Sequence, residues 1–376
     1  MIRYILNYLK IIQVLVIGAL FLSCGNDNPF TIESTNTNPP NCGEFTWEIE
    51  APESFGIDGD AISSILDDAE ALPYMYSIIA VKDGKMIAER YYNGKTMHDP
   101  NNIHSVTKSI CSALIGIAID RGNLIDIDSK LIKYYPEYDE LPNVDPRLED
   151  VTLRHSLTMQ AGFRFYESLE SWIPYVESEN WTEYALQLPF IHTPGAQYHY
   201  STPQTNLMAN IIPRIYDMNT LEFANEYLFE CLGIEIGYWH QDPQGNYTGG
   251  HELYLTPRDM ARFGLLYLNK GNWFGSQIIS TEWFRESTSR QVDRYSPFEE
   301  IMNGYGYYWR TVDQGDSHVF YALGKGGQII YIVPDLNLLV VTAVDGDPWP
   351  ISSMIGQTQM IWEIIRGIER IIKEGI

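Results

Sequence analysis

The apolar positions change period along the chain. Residues 76–94, YSIIAVKDGKMIAERYYNG, set two β-branched-rich apolar runs on either side of Asp83-Gly84. That pattern predicts two strands joined by a tight hairpin. Residues 109–121 are apolar nearly all round, which predicts a buried helix stopped by Gly122. SSILDDAEAL (63–72) and TPRDMARFGLLYLNKG (256–271) are amphipathic at helical spacing. The second opens with Thr256 as N-cap and Pro257 in the first helical position. Strand-like segments return in GYGYYWR, HVFYALG, QIIYIVP and NLLVVTAV, with a turn at Asp335-Leu336. MIGQTQMIWEIIRGIERIIKEG (354–375) closes the chain as an amphipathic helix.

Strands, a long helical insert, strands and a last helix predict an α+β fold. The N-terminal hairpin completes an antiparallel sheet with the C-terminal strands, and helices flank it. The helical insert forms a second, mostly helical lobe, with a cleft between the two. Residues 163–189, FRFYESLESWIPYVESENWTEYALQLP, read either as a loop lining that cleft, a lid, or as a packed surface loop carrying Trp172, Tyr175 and Trp181.

The first 45 residues follow another rule. MIRYILNYLK carries Arg3 and Lys10 with no acid, IIQVLVIGALFLS is apolar, and Ser23-Cys24 ends the run. This order resembles a bacterial lipoprotein signal, with Phe21 where Leu is usual. Residues 1–23 are therefore read as a signal peptide and Cys24 as the lipid attachment site. The expected location is the bacterial cell envelope, with the membrane as partner through that anchor. Residues 24–45, rich in Asn, Thr and Pro, read as a flexible tether, and 46–376 as the folded domain.

Composition narrows the function classes. The chain has 376 residues, 45% of them hydrophobic, enough to bury a sizeable core. Its formal charge of −24 repels phosphate backbones, so no nucleic-acid partner is expected. The eight His are scattered and there is no CxxC or HExxH, so no metal and no cofactor are expected. Among four Cys no spacing indicates a pair. Cys24 goes to the lipid and Cys111 to a buried helix; a disulfide at Cys42 or Cys231 is left open.

Three elements carry candidate chemistry. Ser105-Val-Thr-Lys108 heads the apolar helix and puts a hydroxyl and an amine on one face. A Lys on the first turn of a buried helix needs a polar reason. There it can take or stabilise the proton leaving Ser105 Oγ, while the helix N-terminus favours developing negative charge. Tyr200-Ser-Thr202 sits at a junction between loop and helix, the helix expected from Asn206. A Tyr there serves as general base if cations stabilise its anion. Lys325-Gly-Gly327 is read as the start of an edge-like strand where substrate approaches the backbone; a Gly-rich hairpin turn is the plainer reading.

In this order the three elements resemble the serine hydrolase family of class C β-lactamases, D-alanyl-D-alanine carboxypeptidases, related esterases and 6-aminohexanoate-dimer hydrolase. VTLRHSLTMQAGF, TPGAQYHYSTPQTNLMA, LTPRDMARFGLLYLNKG and GKGGQIIYIVPDLNLLVV resemble the family as well. The resemblance covers about residues 55–370 and implies a β-lactamase/transpeptidase-like fold. It implies Ser105 as nucleophile, Lys108 and Tyr200 as the base pair, and substrate or oxyanion contacts at Thr202, Lys325 and Gly327. Its implied reaction is hydrolysis of a small ester or amide through an acyl-enzyme. Where β-lactamases carry Asn, this chain has Thr202, which lacks the paired donor and acceptor of an amide. GKGGQ lies closer to the aminohexanoate-hydrolase branch. A cell-wall carboxypeptidase, a β-lactamase, or a non-enzymatic binding protein on the same fold are the alternatives.

Overall fold

The computed structural model describes residues 40, 42–124, 126–294, 304–314, 317–346 and 353–375. The signal-peptide reading, Cys24 and most of the tether lie outside them. The predicted hairpin forms as β1 (Met75–Lys82) and β2 (Lys85–Tyr91). Asp83 and Gly84 both take positive φ, 50° and 80°, the turn geometry that matches the twist of the flanking strands.

Six further strands complete one sheet: β3 (Val292–Asp293), β4 (Gly304–Tyr305), β5 (Arg310–Gln314), β6 (Ser317–Gly324), β7 (Gln328–Val333) and β8 (Leu338–Val344). Their order is β2-β1-β8-β7-β6-β5-β4-β3, every pair antiparallel. The first and last strands of this sheet in chain order thus pair with each other, with Ile79 opposite Val341. GYGYYWR, expected as one strand, is two short pieces around a turn. Gly306 N–H donates to Trp309 O at 2.8 Å and Tyr308 adopts φ 62°, so the chain reverses before Arg310.

Alternation along the strands feeds two cores. Ile78, Ala80, Tyr321, Tyr331, Leu338 and Val340 face α1 (Gly59–Ala69) and the C-terminal helix. That last helix, Ser353–Glu374, presents Ile361, Ile365, Ile368 and Ile372 at helical spacing. Ile79, Phe320, Ala322, Ile330 and Val341 face the other way, into the larger core shared with the helical lobe. The lobe is built on α2 (Thr107–Asp120), whose residues from Thr107 to Ala118 are all buried. Gly122, at φ 83°, ends the turn after it and donates to Ile119 O at 2.9 Å.

The stretch 163–189 holds two helices, α3 (Leu169–Val176) and α4 (Trp181–Leu186). Tyr175 and Trp181 anchor them in the core, ring against ring at 4.9 Å. Next comes α5 (Thr202–Ala209), which begins four residues earlier than expected, at Thr202 rather than Asn206. Pro203 fits a first-turn position, where the missing N–H costs nothing. The predicted helix after Thr256 is α6 (Pro257–Leu268), closed by a capping box between Thr256 and Asp259.

The structure pairs Cys42 with Cys231, 189 residues apart, with Cα atoms 5.1 Å apart. No local spacing signals such a pair, which is why the sequence left it open. Phe45, three residues on, packs on Trp47, Trp273 and Phe274. Residues 42–45, read as the end of a tether, are held against the domain. Among the described residues, no helix is long and apolar enough to cross a membrane.

Candidate active site

A 3-10 turn, His104–Val106, runs straight into α2. His104 takes φ 47°, a costly conformation for a side chain with a Cβ. Two bonds hold it: its N–H donates to Asn102 Oδ1 at 2.8 Å, and Thr107 Oγ1 donates to its carbonyl at 2.7 Å. This places Ser105 half-exposed at the mouth of the lobe, with Lys108 behind it on the first turn of α2.

Lys108 is 1% exposed. Its Nζ lies 3.1 Å from Ser105 Oγ, 3.0 Å from Thr202 Oγ1 and 2.7 Å from the Gly250 carbonyl. Three oxygens match the three N–H groups of an ammonium. Gly250 O can only accept. The two hydroxyls can donate or accept, so a neutral amine is also accommodated, accepting from Ser105. Tyr200 turns its ring to the same nitrogen, 4.9 Å from the centroid. The structure therefore brings together Ser105, Lys108, Tyr200 and Thr202.

The residues that shape this pocket were not legible in the motifs. Gly249 and Gly250 donate their N–H groups to Asn206 Oδ1, at 3.0 and 3.2 Å. Asn206 Nδ2 donates in turn to the Tyr175 hydroxyl at 2.7 Å. Gly250 has to be glycine, because a Cβ there would overlap Thr205 Oγ1 and crowd Thr202 Cγ2. Glu167 Oε1 accepts from Thr202 N at 2.9 Å and its Oε2 from Trp172 Nε1 at 3.1 Å. One carboxylate thus ties α3 to the start of α5. His251 follows Gly250, with Trp172 edge-on at 5.2 Å. Burial first, then the charges of Lys108, His240 and His104, push its imidazole well below its ordinary value, so it is neutral. Its Nε2 is buried with no hydrogen-bond partner. Cys111, one turn past Lys108, is kept a thiol: burial pushes it up to about 12.

Thr202 is 1% exposed and its hydroxyl accepts from Lys108 Nζ. The third element follows the plainer of its two sequence readings rather than the edge-like strand. Lys325-Gly326-Gly327 is the hairpin turn between β6 and β7, and β7 lies inside the sheet, not at its edge. Lys325 is exposed. Gly327 donates to Gly324 O at 3.2 Å, and a Cβ on it would press on Ile361 at 2.9 Å, away from Ser105. The glycine at the site is Gly324: a Cβ there would overlap the Ile103 carbonyl, two residues before Ser105. Among the described residues, no group of three or more His, Cys, Asp or Glu is placed to hold a metal ion.

An antiparallel sheet flanked by helices, a helical lobe, and a Ser-Lys pair at a buried helix start define the β-lactamase/transpeptidase-like class. Residues 71–354 match the beta-lactamase family model. The 6-aminohexanoate-dimer hydrolase of Paenarthrobacter ureafaciens is 23% identical over 295 residues, covering 73% of this chain and 72% of that protein. Among solved structures, a Bacillus anthracis protein provisionally assigned as a 6-aminohexanoate-dimer hydrolase superposes with a TM-score of 0.66 at 22% identity, covering 91% of this chain and 92% of its own. The D-amino acid amidase of Ochrobactrum anthropi gives a TM-score of 0.63 at 17% identity, covering 83% and 98%. The chain belongs to the beta-lactamase family, and its kind is a serine hydrolase.

Proposed function

We propose that this protein is an exported serine hydrolase that cleaves a small ester or amide through an acyl-enzyme on Ser105. The observation that carries the reading is the contact of buried Lys108 Nζ with Ser105 Oγ at 3.1 Å. A buried amine held on three oxygens beside a half-exposed hydroxyl is arranged for proton transfer. Ser105 Oγ attacks the carbonyl carbon while its proton passes to the Lys108–Tyr200 pair. The carbonyl electron pair moves onto oxygen. The oxyanion lies between the Ser105 N–H and a second N–H, for which we propose that of Lys325, directly after Gly324. Collapse breaks the bond to the leaving alcohol or amine, which takes the proton back from the pair. Water then attacks the acyl ester, its proton passing through the same pair to Ser105 Oγ.

One of the similar solved structures is a D-amino acid amidase, which supports the amide side of this reading. Thr202 in place of the Asn of β-lactamases counts against penicillin or D-alanyl-D-alanine recognition, because a hydroxyl lacks the paired donor and acceptor of an amide. Export with a lipid on Cys24 is supported by the charge, apolar run and Cys order at the N-terminus. The Cys42–Cys231 pair fits an oxidising compartment.

The test is covalent labelling of residues 25–376. A fluorophosphonate is expected to modify Ser105, located by peptide mass mapping, and labelled penicillin is not. Ser105→Ala should lose the label while its melting temperature stays within about 4 °C of wild type, less than about 1 kcal/mol. A penicillin adduct on Ser105 would turn the assignment to the cell-wall enzymes. No fluorophosphonate label on folded protein would remove the hydrolase reading.

A further inference from the structure

Arg310 opens β5 and pairs with Tyr321 of β6. Its Nη1 donates to Leu323 O at 3.2 Å, so the guanidinium lies beside the end of β6, one residue from Gly324. Its central carbon stands 5.8 Å from the centroid of the Tyr200 ring. Lys108 Nζ stands 4.9 Å from the same centroid. Two cations therefore converge on one ring, from α2 and from β5. Lys325, the cation read from the sequence for this position, is exposed at the end of the hairpin.

We propose that Arg310, not Lys325, is the second cation of this site, a positioning residue that holds the Tyr200 ring and stabilises its negative charge once its hydroxyl proton has moved. This rests on reading Tyr200 as a proton acceptor. A guanidinium over an aromatic ring is attracted by the ring's quadrupole, and more strongly by a phenolate. Arg keeps its charge at every working pH, which suits it to a fixed electrostatic role.

The other groups around Tyr200 do not supply this charge. Tyr305 on β4 and Tyr308 in the following turn are held protonated, because burial pushes both well above their ordinary value. Arg294 lies over Tyr198, 5.6 Å from its centroid. On the lobe side, His251 beside Lys108 is neutral. Glu167, on the loop before α3, is bonded to Thr202 N and Trp172.

The experiment compares wild type, Arg310→Gln and Arg310→Lys. Gln keeps a donor for Leu323 O, so loss of charge is separated from loss of fold. First, kcat/KM for a neutral p-nitrophenyl ester is followed from pH 5 to 10. Arg310→Gln is expected to lower it about ten- to a hundredfold near neutrality and to move its acidic limb up by about one to two pH units. Arg310→Lys should recover most of that displacement. Second, the Tyr200 resonance is titrated in protein labelled with 13Cζ-tyrosine, assigned by its loss in Tyr200→Phe. Its midpoint should move the same way in Arg310→Gln. The second arm reads charge without turnover, so failure of the hydrolase reading and failure of this one are distinguishable. An unmoved limb and midpoint in Arg310→Gln would overturn the assignment.

Discussion

Lys108 and Lys325 are each the cation of a short sequence motif with a neighbouring small or hydroxyl residue. In the fold they are opposites. Lys108 is 1% exposed, and three oxygens from three segments surround it. Lys325 stands exposed on a two-strand turn. A buried ammonium or amine is tolerated only where its hydrogen bonds are satisfied, so the neighbourhood of Lys108 is built around it. Depth, rather than the motif, distinguishes the two.

The sharpest way to break this contrast is Lys108→Met. We expect turnover to fall at least about a thousandfold, the upper range for a lost general base being about ten-thousandfold. Gly250 O and Thr202 Oγ1 would lose their donor, lowering stability by about 1–3 kcal/mol in a urea titration. A variant with near wild-type kcat would mean that Tyr200 works without the amine.

A smaller effect comes from the imidazole beside Lys108. His251 is neutral in the fold because its affinity for a proton is lowered there, whereas an unfolded His binds one below about pH 6.5. The unfolded state therefore takes up more protons as pH falls, and stability rises with pH. The melting temperature should drop between pH 7 and pH 5, and His251→Asn should flatten part of that slope. His155 and His199 are shifted in the same direction by burial and add to it. An equal slope in the variant would assign the acid sensitivity to groups other than His251. The smallest effect is expected at Lys325→Ala, less than about twofold in kcat/KM, since a surface change away from buried features is close to neutral. The substitution keeps the backbone N–H proposed for the oxyanion.

These contrasts also mark what the sequence could convey. Ser105 and Lys108 were legible because both lie on one helical turn and an apolar helix follows directly. The hairpin at Asp83-Gly84 and the Thr256 cap were legible for the same reason: their signals are local. Gly250 is 142 residues from Lys108, and Asn206 meets Gly249 across 43. No short-range pattern reports such contacts. Gly327 drew attention through its place in a motif, while Gly324, directly before that motif, does the close packing on Ile103. The helices in 163–189 were hidden by Pro174 and by acids that read as loop; Tyr175 and Trp181 fix them through tertiary packing.

The Cys42–Cys231 bond also sets a path for force. A load applied to the chain ahead of residue 42 passes through sulfur to the helical turn Glu230–Leu232 and so into the helical lobe. It bypasses Glu48 and Glu50, whose backbone bonds to Met86 would otherwise be the first to peel from β2. A domain hung by its N-terminal end would thus bear tension through a covalent link, while the strand beside the sheet edge hangs slack.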